Sequence, residues 1–318
     1  MKNKFILICS DLSESSTDTV CSWLSYYNKN FLRISNENVI TIKEVIIKNN
    51  YLDIIFNIDE IEYKLSNIKS YWYRRSRLKF AKINQVKYQY EAIDLSNEVN
   101  SFLQEEYNKV IEFFEYKLNE LSVLNKFNDN YINKLNVLAL AQKLGIKTPE
   151  TRVLNDFTKL KFDKNKYITK AISDLTIKKN NRFFYCMTQR IDFRDGEDLF
   201  YSLVQKEVKK KFEIRSFFFN NKFFSSAIFS QENDKTSLDF RNYDDENPNR
   251  VVPFKLPQNI EDKLLKLCKT IDLKSGSFDL AYTNENDYIL FEVNPVGQFE
   301  QVSFPCNYNI HKEIALRL

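Results

Sequence analysis

The sequence predicts a mixed α/β fold that is divided into two or three lobes. Its 318 residues exceed the usual size of one domain, about 100–200 residues. Hydrophobic residues make up 43% and charged residues 28% of the chain, which is the balance of a folded protein. Short apolar runs alternate with helically spaced segments in the first third, and β-hairpin patterns dominate the last third.

In the first lobe, an apolar run at residues 4–10 predicts an opening strand. Helical spacing predicts helices at residues 17–27 and 95–124, because apolar side chains recur there at steps of three and four. Runs rich in Ile, Val and Phe predict further strands at residues 31–35, 39–49 and 51–57. We expect this lobe to span residues 1–118.

The middle of the chain predicts a second lobe at residues 119–206. A helix at residues 133–144 is followed by Gly145, the residue type that usually ends a helix. Strands are predicted at residues 166–172, 182–191 and 203–208, with a polar loop at residues 173–181 between the first two.

The last third, residues 207–318, predicts a lobe of hairpins. Two aromatic strands meet at the turn Asn220–Asn221, which is typical of a tight β-hairpin. A charged loop at residues 231–250 is longer than most connections, and such loops are often functional. A helix at residues 260–273 precedes a second hairpin, SGSFDLAYT with DYILFEVNP.

Several classes of function conflict with the composition. The formal net charge of +4 is too small to mark a nucleic-acid binder, and no GxGxxG motif occurs. His311 is the only histidine, so a Ser-His-Asp triad or a zinc site with histidine would depend on it. Five scattered cysteines without a CxxC pair favour free thiols in a cytoplasmic protein, and no apolar run of about 18 residues predicts a membrane span.

Three polar residues on the final strands predict a metal site. Asp279 lies within an apolar strand, and Glu292 and Asn294 are two residues apart on the next one, so the latter two share a face. Carboxylates inside such strands would be costly in a core. Carboxylate and amide oxygens are ligands that Mg²⁺ accepts, with phosphates and waters completing its shell. A solvated sheet face with alternating polarity is the competing interpretation.

A second set of charged residues could contact phosphate. Glu213 and Arg215 share one face of a strand, and a rigidly held guanidinium suits a phosphoryl group that is being transferred. An ordinary cross-strand ion pair is the alternative interpretation. Lys134 lies early in its helix and Lys170 ends its strand, which are positions that suit the phosphates of a nucleotide.

The order of these features resembles the ATP-grasp ligases. It is similar, more narrowly, to the ATP-grasp maturases of ribosomally made peptides, the graspetide or microviridin-type ligases, with the grasp-with-spasm branch nearest. The narrow resemblance depends on YWYRR at residues 71–75 and on FSQENDKTSLDFR at residues 229–241. It implies an amino-terminal lobe followed by two ATP-grasp lobes that hold ATP between them.

The resemblance also implies roles for individual residues. Asp279, Glu292 and Asn294 would hold Mg²⁺, and Lys134 and Lys170 would contact the phosphates of ATP. The adenine hinge would consist of Gln205, Lys206, Glu207 and Val208, with Glu207 near the ribose. The expected catalytic residues are Arg215, Arg241 and Glu213, with Asp239 beside Arg241 near the substrate carboxylate.

The implied reaction is macrocyclisation of a ribosomal precursor peptide, made of a leader and a core, in the cytoplasm. An Asp or Glu side chain of the core is activated as an acylphosphate and joined to a Ser or Thr hydroxyl or a Lys amine. We expect no nucleic-acid or membrane partner, and a homodimer is the candidate assembly. The hairpin at residues 182–190, with the helix expected after it, is the candidate leader-docking site.

Other functions remain open on the sequence alone. An ATP-grasp amino-acid or polyglutamate ligase would use the same nucleotide and metal residues. A nucleotide-dependent binding protein without catalytic activity is a further alternative. The presence of all the residues expected for catalysis argues against it: Asp279, Glu292, Asn294 and Arg215. The basic stretch KEVKKKFEIR could also contact nucleic acid, although a solvated strand edge explains it as well.

Overall fold

In this computed structural model, the structure describes residues 4–155, 166–173, 176–179, 182–185, 188–191, 201–242 and 244–318. For residues 130–131, 176–179 and 182–185 it describes the backbone alone. Cys186, the side chains of residues 182–187 in the candidate leader-docking hairpin and the segment expected to form the following helix therefore lie outside the described residues. None of the described helices has the length and apolar character that a membrane span requires.

The amino-terminal part of the chain alternates strands with two long helices. Its helices are α1 (Ser15–Tyr26) and α2 (Ser96–Glu120). Its strands are β1 (Phe5–Ser10), β2 (Phe31–Ile34), β3 (Val39–Lys48), β4 (Tyr51–Ile58), β5 (Ile61–Lys64), β6 (Ile68–Arg74), β7 (Lys79–Phe80), β8 (Gln89–Tyr90) and β9 (Ile93–Asp94).

The remainder of the chain is richer in strands. Its helices are α3 (Lys134–Lys143), α4 (Asp234–Ser237), α5 (Gln258–Thr270), α6 (Glu300–Cys306) and α7 (Ile310–Arg317). Its strands are β10 (Thr151–Leu154), β11 (Tyr167–Lys170), β12 (Thr176–Lys179), β13 (Arg182–Tyr185), β14 (Gln189–Arg190), β15 (Ser202–Lys206), β16 (Lys210–Phe219), β17 (Lys222–Phe229), β18 (Arg250–Phe254), β19 (Ser275–Thr283) and β20 (Tyr288–Asn294).

The chain divides into two compact units. The first comprises Met1–Phe127 with Ile310–Leu318, and the second comprises Asn128–Asn309. The mixed α/β class is confirmed by these elements. The finer division into lobes at residues 1–118, 119–206 and 207–318 stays a prediction.

The first unit is built on two sheets with the strand orders β2-β1-β6 and β5-β4-β3-β7. The β1 strand pairs in parallel with both neighbours, and its residues from Ile6 to Cys9 are almost fully buried, so both of its faces are covered. Helix α2 buries Phe114 and Leu118, and the Phe114 ring meets the Phe56 ring edge-on at 5.0 Å. This packing explains why the amphipathic pattern of residues 95–124 correctly predicted a helix.

The second unit contains a five-stranded antiparallel sheet in the order β18-β17-β16-β19-β20. Helix α5 buries Leu264, Leu267 and Cys268 against one face of this sheet, in a core that also includes Phe278 and Leu290. The hairpin β16–β17 turns at Asn220 and Asn221, whose φ values of 50° and 59° are those of the predicted tight turn. Because α5 covers one face of this sheet, the opposite face is available for polar residues.

A smaller sheet in the second unit has the order β10-β15-β11-β14, and a separate ribbon pairs β12 with β13. The prediction of a polar loop at residues 173–181 was wrong, because Thr176–Lys179 pairs with Arg182–Tyr185 as a strand. The predicted strand at residues 182–191 is likewise two separate strands, β13 and β14. The β12 residues, TIKK, are largely basic and show no apolar run, so this strand depends on its backbone pairing with β13.

Candidate active site

Three charged side chains form one row across the polar face of the large sheet. Arg215 on β16 lies directly opposite Asp279 on β19, and Asp279 lies directly opposite Glu292 on β20. Directly paired residues on neighbouring strands project from the same face. Each of the three residues is only 5–6% exposed. The strand register therefore gathers them in one shielded site.

Asn294 completes a cluster of oxygen and amide groups at the end of this row. It is two residues beyond Glu292, and its amide nitrogen lies 3.2 Å from Glu292 Oε1 and 3.4 Å from Asp279 Oδ2. Rotation of the amide by half a turn would present its oxygen instead, because the two orientations differ only in which atom is nitrogen. Asp279, Glu292 and Asn294 thus converge as the sequence predicted.

The chemistry of this donor set fits Mg²⁺. The described residues contain no group of three or more His, Cys, Asp and Glu that could hold a metal ion by themselves. Two carboxylates and an amide oxygen form a hard but incomplete shell, and Mg²⁺ is usually bound by one or two carboxylates together with phosphate oxygens and waters. Such a site would depend on a phosphate ligand.

Two lysines from separate elements reach the same carboxylate oxygen. Lys134 is the first residue of α3, a helix whose start is fixed because the Asn133 side chain accepts a hydrogen bond from Leu135 N–H at 2.9 Å. Lys170 ends β11. Each Nζ lies 3.5 Å from Glu292 Oε2. Lys134 and Lys170, which are 36 positions apart in the sequence, are therefore neighbours around Glu292.

Arg241 brings a third cation to Glu292 from the segment between β17 and β18. Its Nη1 donates to Glu292 Oε1 at 3.2 Å. Its Nε and Nη2 donate to the two oxygens of Asp239 at 2.9 and 2.7 Å, a bidentate geometry that fixes the guanidinium plane. Thr188 also donates to Asp239, at 2.9 Å. The predicted pair Asp239 and Arg241 thus lies at the edge of the row.

The cations control the ionisation of the buried carboxyls. Burial by itself would raise the pKa of Glu292, but Lys170, Lys134 and Arg241 outweigh burial and hold this pKa well below its ordinary range. Burial raises the pKa of Asp279, and the neighbouring Glu292 charge adds to this effect while Arg215 opposes it. Burial likewise lowers the pKa of Lys170. Glu292 is therefore the fully ionised centre of the site.

Glu213 does not contact Arg215 or the cluster around Glu292 in the hydrogen bonds described. Its Oε1 accepts from Ser230 Oγ at 3.0 Å and lies 2.9 Å from Lys210 Nζ. Arg215 instead donates from Nη1 to Asp279 Oδ1. The cross-strand ion pair that was the alternative interpretation of the EIR motif is therefore present, as Arg215 with Asp279 between β16 and β19.

The predicted hinge residues line two cavities of the second unit. Lys206, Glu207 and Val208 contribute to one cavity of about 660 Å³ and to a neighbouring one of about 220 Å³. Gln205 points inward instead and donates to Thr151 Oγ1 at 2.9 Å. Glu207 is held bidentately by Arg190, at 2.8 and 2.9 Å, so its carboxylate is already oriented in the cavity wall. A third cavity of about 50 Å³ is lined by residues that include Lys170, Arg241, Asp279 and Glu292.

Sequence reasoning missed three residues that structure the site. Lys210, Ser230 and Thr188 all bond to predicted site residues. Ser230 lies in the stretch FSQENDKTSLDFR that carries the narrow resemblance, although no role was predicted for it, and Thr188 carries no signal beyond its polarity. Lys210 lies in a run of basic residues, KEVKKK, and no feature of that run distinguishes it from its neighbours.

Comparisons with known proteins identify the fold. No family model and no curated protein matches the chain. A RiPP-associated ATP-grasp ligase from Chryseobacterium gregarium, solved in complex with ADP and a leader and core peptide, is similar with a TM-score of 0.74 and 20% identity over 98% of this chain and 95% of that chain. Macrocyclase MdnC from Microcystis aeruginosa, solved with precursor peptide MdnA, is similar with a TM-score of 0.71 and 20% identity over 98% of each chain.

A ligase with another substrate has a weaker likeness. D-alanyl-alanine synthetase A from Vibrio cholerae matches with a TM-score of 0.52 and 12% identity, over 100% of this chain and 98% of that chain. All three likenesses extend over nearly the whole length of both partners. The chain therefore has the ATP-grasp fold.

Proposed function

We propose that the protein is an ATP-dependent maturase that cross-links side chains of a ribosomally made precursor peptide. The observation that carries the proposal is the shared row of Arg215, Asp279 and Glu292, surrounded by Lys134, Lys170 and Arg241. This arrangement offers oxygen ligands for one cation beside several positive charges for phosphates. The fold likeness to a ligase solved with ADP and a leader and core peptide supports the same class of reaction.

The nucleotide would lie in the cavities of the second unit. The cavity of about 660 Å³ is lined by the hinge residues Lys206, Glu207 and Val208 together with Thr148, Pro149, Lys166, Thr283, Asp287 and Ile289. This supports ATP binding between the proposed lobes 119–206 and 207–318. Lys134 and Lys170 then face the phosphates from the side of the first of these lobes.

The chemistry follows from charge placement, since no covalent enzyme intermediate is required. Asp279, Glu292 and Asn294 would hold Mg²⁺, which supplies neutralisation of phosphate charge when bound. Arg215 orients the γ-phosphoryl group through its planar fork, and Arg241 orients the carboxylate of the peptide. That carboxylate attacks the γ-phosphorus, and the bond to the ADP oxygen breaks.

The second half-reaction joins two side chains of the peptide. A Ser or Thr hydroxyl or a Lys amine attacks the acyl carbon of the acylphosphate and loses one proton. Inorganic phosphate leaves with the bonding electron pair. The products are an ω-ester or ω-amide bond, ADP and phosphate, so each bond formed removes one water from the peptide.

A synthetic peptide tests this proposal. The probe is the short peptide encoded beside the gene of this chain whose core contains Asp or Glu together with Ser, Thr or Lys. With ATP and Mg²⁺ we expect peptide-dependent release of ADP, and a mass decrease of the peptide by whole multiples of one water. Mild base should reverse ester bonds and leave amide bonds intact.

The alternative ligase would give a different product. If free amino acids replaced the peptide as the substrate that stimulates ADP release, and the product had gained the mass of an amino acid, an amino-acid or polyglutamate ligase would be the correct assignment. Absence of ADP release with either substrate would contradict both.

A further inference from the structure

The residues that carry Asp239 and Arg241 form a compact loop, here called the bridging segment and defined as residues 230–242. Bonds within the segment give it its shape. Thr236 Oγ1 donates to Ser230 O at 3.1 Å, and Gln231 Nε2 donates to Ser237 O at 2.9 Å. These bonds set the shape of the segment but do not attach it to the sheet on which the row of charged residues lies.

Lys210, the first residue of β16, attaches the bridging segment to this sheet. Its Nζ donates to the carbonyl oxygen of Leu238 at 2.9 Å and lies 2.9 Å from Glu213 Oε1. Glu213 in turn accepts from Ser230 at 3.0 Å. The Lys210–Glu213 pair therefore holds both the start of the bridging segment and the residue directly before Asp239.

An irregularity of β16 makes this geometry available. In a regular strand, residues 210 and 213 would project from opposite faces. The register of β16 against β19 shifts between Lys210 and Phe212, and such a shift breaks the alternation of side chains. Lys210 consequently reaches the face of Glu213, where its ammonium also lies 5.7 Å from the ring of Phe291.

Stability alone is a weak explanation for the pair. The side chains of Lys210 and Glu213 are 5% and 6% exposed. Removing two charges from water is expensive, and buried ion pairs are often no more stabilising than apolar residues of the same volume. Burial indeed raises the pKa of Glu213 despite the nearby ammonium. The pair makes more sense as a device that fixes a geometry.

We propose that Lys210 is a positioning residue, which holds the carbonyl of Leu238 and thereby fixes Asp239 and Arg241 over Glu292. Its effect on catalysis rests on the proposed function, whereas its effect on the order of the bridging segment does not. The Arg241 side chain that contacts Glu292 is 42% exposed, so the surrounding residues pack against only part of it. Its position over Glu292 therefore depends on how firmly the bridging segment is attached to the sheet.

Hydrogen exchange of the whole protein tests the local claim. The Lys210→Met variant removes the donor to Leu238 while keeping a long apolar stem. We expect amides of the bridging segment, such as Arg241 and Asn242, to exchange about tenfold faster, because one buried hydrogen bond and its ion pair are lost. Amides of β17 and β19 should keep their wild-type rates. Lys211→Met is the matched control, since Lys211 bonds to the exposed Asn286 instead.

A second variant guards against loss of folding. Glu213 is left unpaired in Lys210→Met, so the double variant with Glu213→Gln removes that buried charge and carries the same exchange test. Lys210→Arg keeps a donor and should restore slow exchange. Unchanged exchange of the bridging segment in Lys210→Met would overturn the proposal, and so would faster exchange spread equally over β17 and β19.

Kinetics then connect position to reaction. We expect Lys210→Met to raise the KM for the peptide about tenfold and to leave the dissociation constant of ADP with Mg²⁺ nearly unchanged, because Arg241 is displaced and the hinge is not. A rise in the ADP dissociation constant with the KM for peptide unchanged would overturn the positioning role. A wild-type protein that turns over no peptide would contradict the proposed function only, since the exchange result stands by itself.

Discussion

Arg215 is the residue for which the strand register changes the interpretation most. From the sequence it could also be one half of an ordinary cross-strand ion pair. The structure pairs it with Asp279, which lies directly opposite on β19. The charge of Arg215 therefore faces the site that we assign to phosphate and metal. Substitution of Arg215 therefore tests whether the row of Arg215, Asp279 and Glu292 is catalytic or only structural.

We expect Arg215→Lys to lose catalysis while keeping the fold. The ammonium preserves the charge beside Asp279 but cannot contact two phosphoryl oxygens in fixed geometry. Loss of one well-placed contact of this kind costs about 2.7–4 kcal/mol, or about 100–1000-fold in rate. ADP release and thermal unfolding should be measured on the same preparation. A variant that melts earlier but releases ADP at the wild-type rate would mean that Arg215 is only structural.

Glu292 is the residue on which three cations converge, so its charge has a distinct test. Glu292→Gln leaves Lys134, Lys170 and Arg241 without their shared counter-charge. We expect ADP alone to bind at least as tightly as to the wild type, because Lys134 and Lys170 become available to phosphate. The gain in affinity on adding Mg²⁺ should disappear, and ADP formation should fall by orders of magnitude.

Calorimetry with ADP, in the presence and absence of Mg²⁺, separates the two effects. Glu246→Gln, which alters an exposed carboxylate of the loop before β18, is the matched control. If Glu292→Gln kept the full Mg²⁺-dependent gain in ADP affinity, Glu292 would not be a metal ligand.

At the scale of elements, the turn after β20 holds the metal-site residues against β19. Gly297 lies so close to Ser277 that a Cβ atom there would be 2.6 Å from the Ser277 nitrogen and closer still to its side chain. Ser277 is paired with Asn294, and its hydroxyl donates to the carbonyl of Gln298 at 2.9 Å. Glycine at 297 therefore permits the close approach that orients the end of β20.

We expect Gly297→Ala to destabilise the protein and to weaken Mg²⁺-dependent binding of ADP. Forcing an extra carbon into a packed site costs about 1–3 kcal/mol, which should appear as a lower urea midpoint. Gly145→Ala is the contrast, because its φ of 70° is unfavourable for alanine but its nearest neighbour would be 3.7 Å away. That variant should lose stability while its ADP binding stays normal. Equal ADP binding in both variants would contradict the role given to Gly297.

The elements also show what periodicity can and cannot predict. The strands β16, β17, β19 and β20 were predicted because their apolar and aromatic runs are bounded by turn residues, and one face of the sheet packs on α5. The residue pattern by itself predicted the bridging segment only as part of a long charged loop, and its helix α4 and its contact with Glu292 depend on tertiary bonds. Lys210 could not have been distinguished, because its face is set by a register shift between strands and not by its place in the sequence.

At the scale of the whole molecule, the fold was predictable because the order of motifs follows the order of strands around the site. Asp279, Glu292 and Asn294 lie on neighbouring strands of one hairpin, so spacing alone brings them together. Lys134, Lys170 and Arg241 come from three distant segments, and only the resemblance to a known fold predicted that they would meet. The charge balance that results has a consequence for how ligands bind.

That consequence is coupled binding of nucleotide and metal. In the part of the second unit that the structure describes, Lys134, Lys170 and Arg241 are paired with Glu292, and Arg215 with Asp279, so the carboxylates offer little net attraction to a cation alone. Phosphates that took over Lys134, Lys170 and Arg215 would release Glu292 and Asp279 for Mg²⁺, which would in turn neutralise the phosphates. Each ligand should therefore strengthen binding of the other.

Titration calorimetry at fixed ionic strength measures this coupling. We expect no detectable heat with Mg²⁺ alone at concentrations that saturate the complex with ADP, and weak binding of ADP alone. With both ligands present, each should bind about 5–150-fold more tightly, the range usual for two coupled sites, and by the same factor in either order of addition. Lys134→Met should reduce the coupling factor as well as the affinity for ADP, because one cation no longer transfers from Glu292 to phosphate. If Mg²⁺ bound equally well with and without ADP, the ion pairs around Glu292 would not be exchanged on binding, and the carboxylate cluster would be a site independent of the nucleotide.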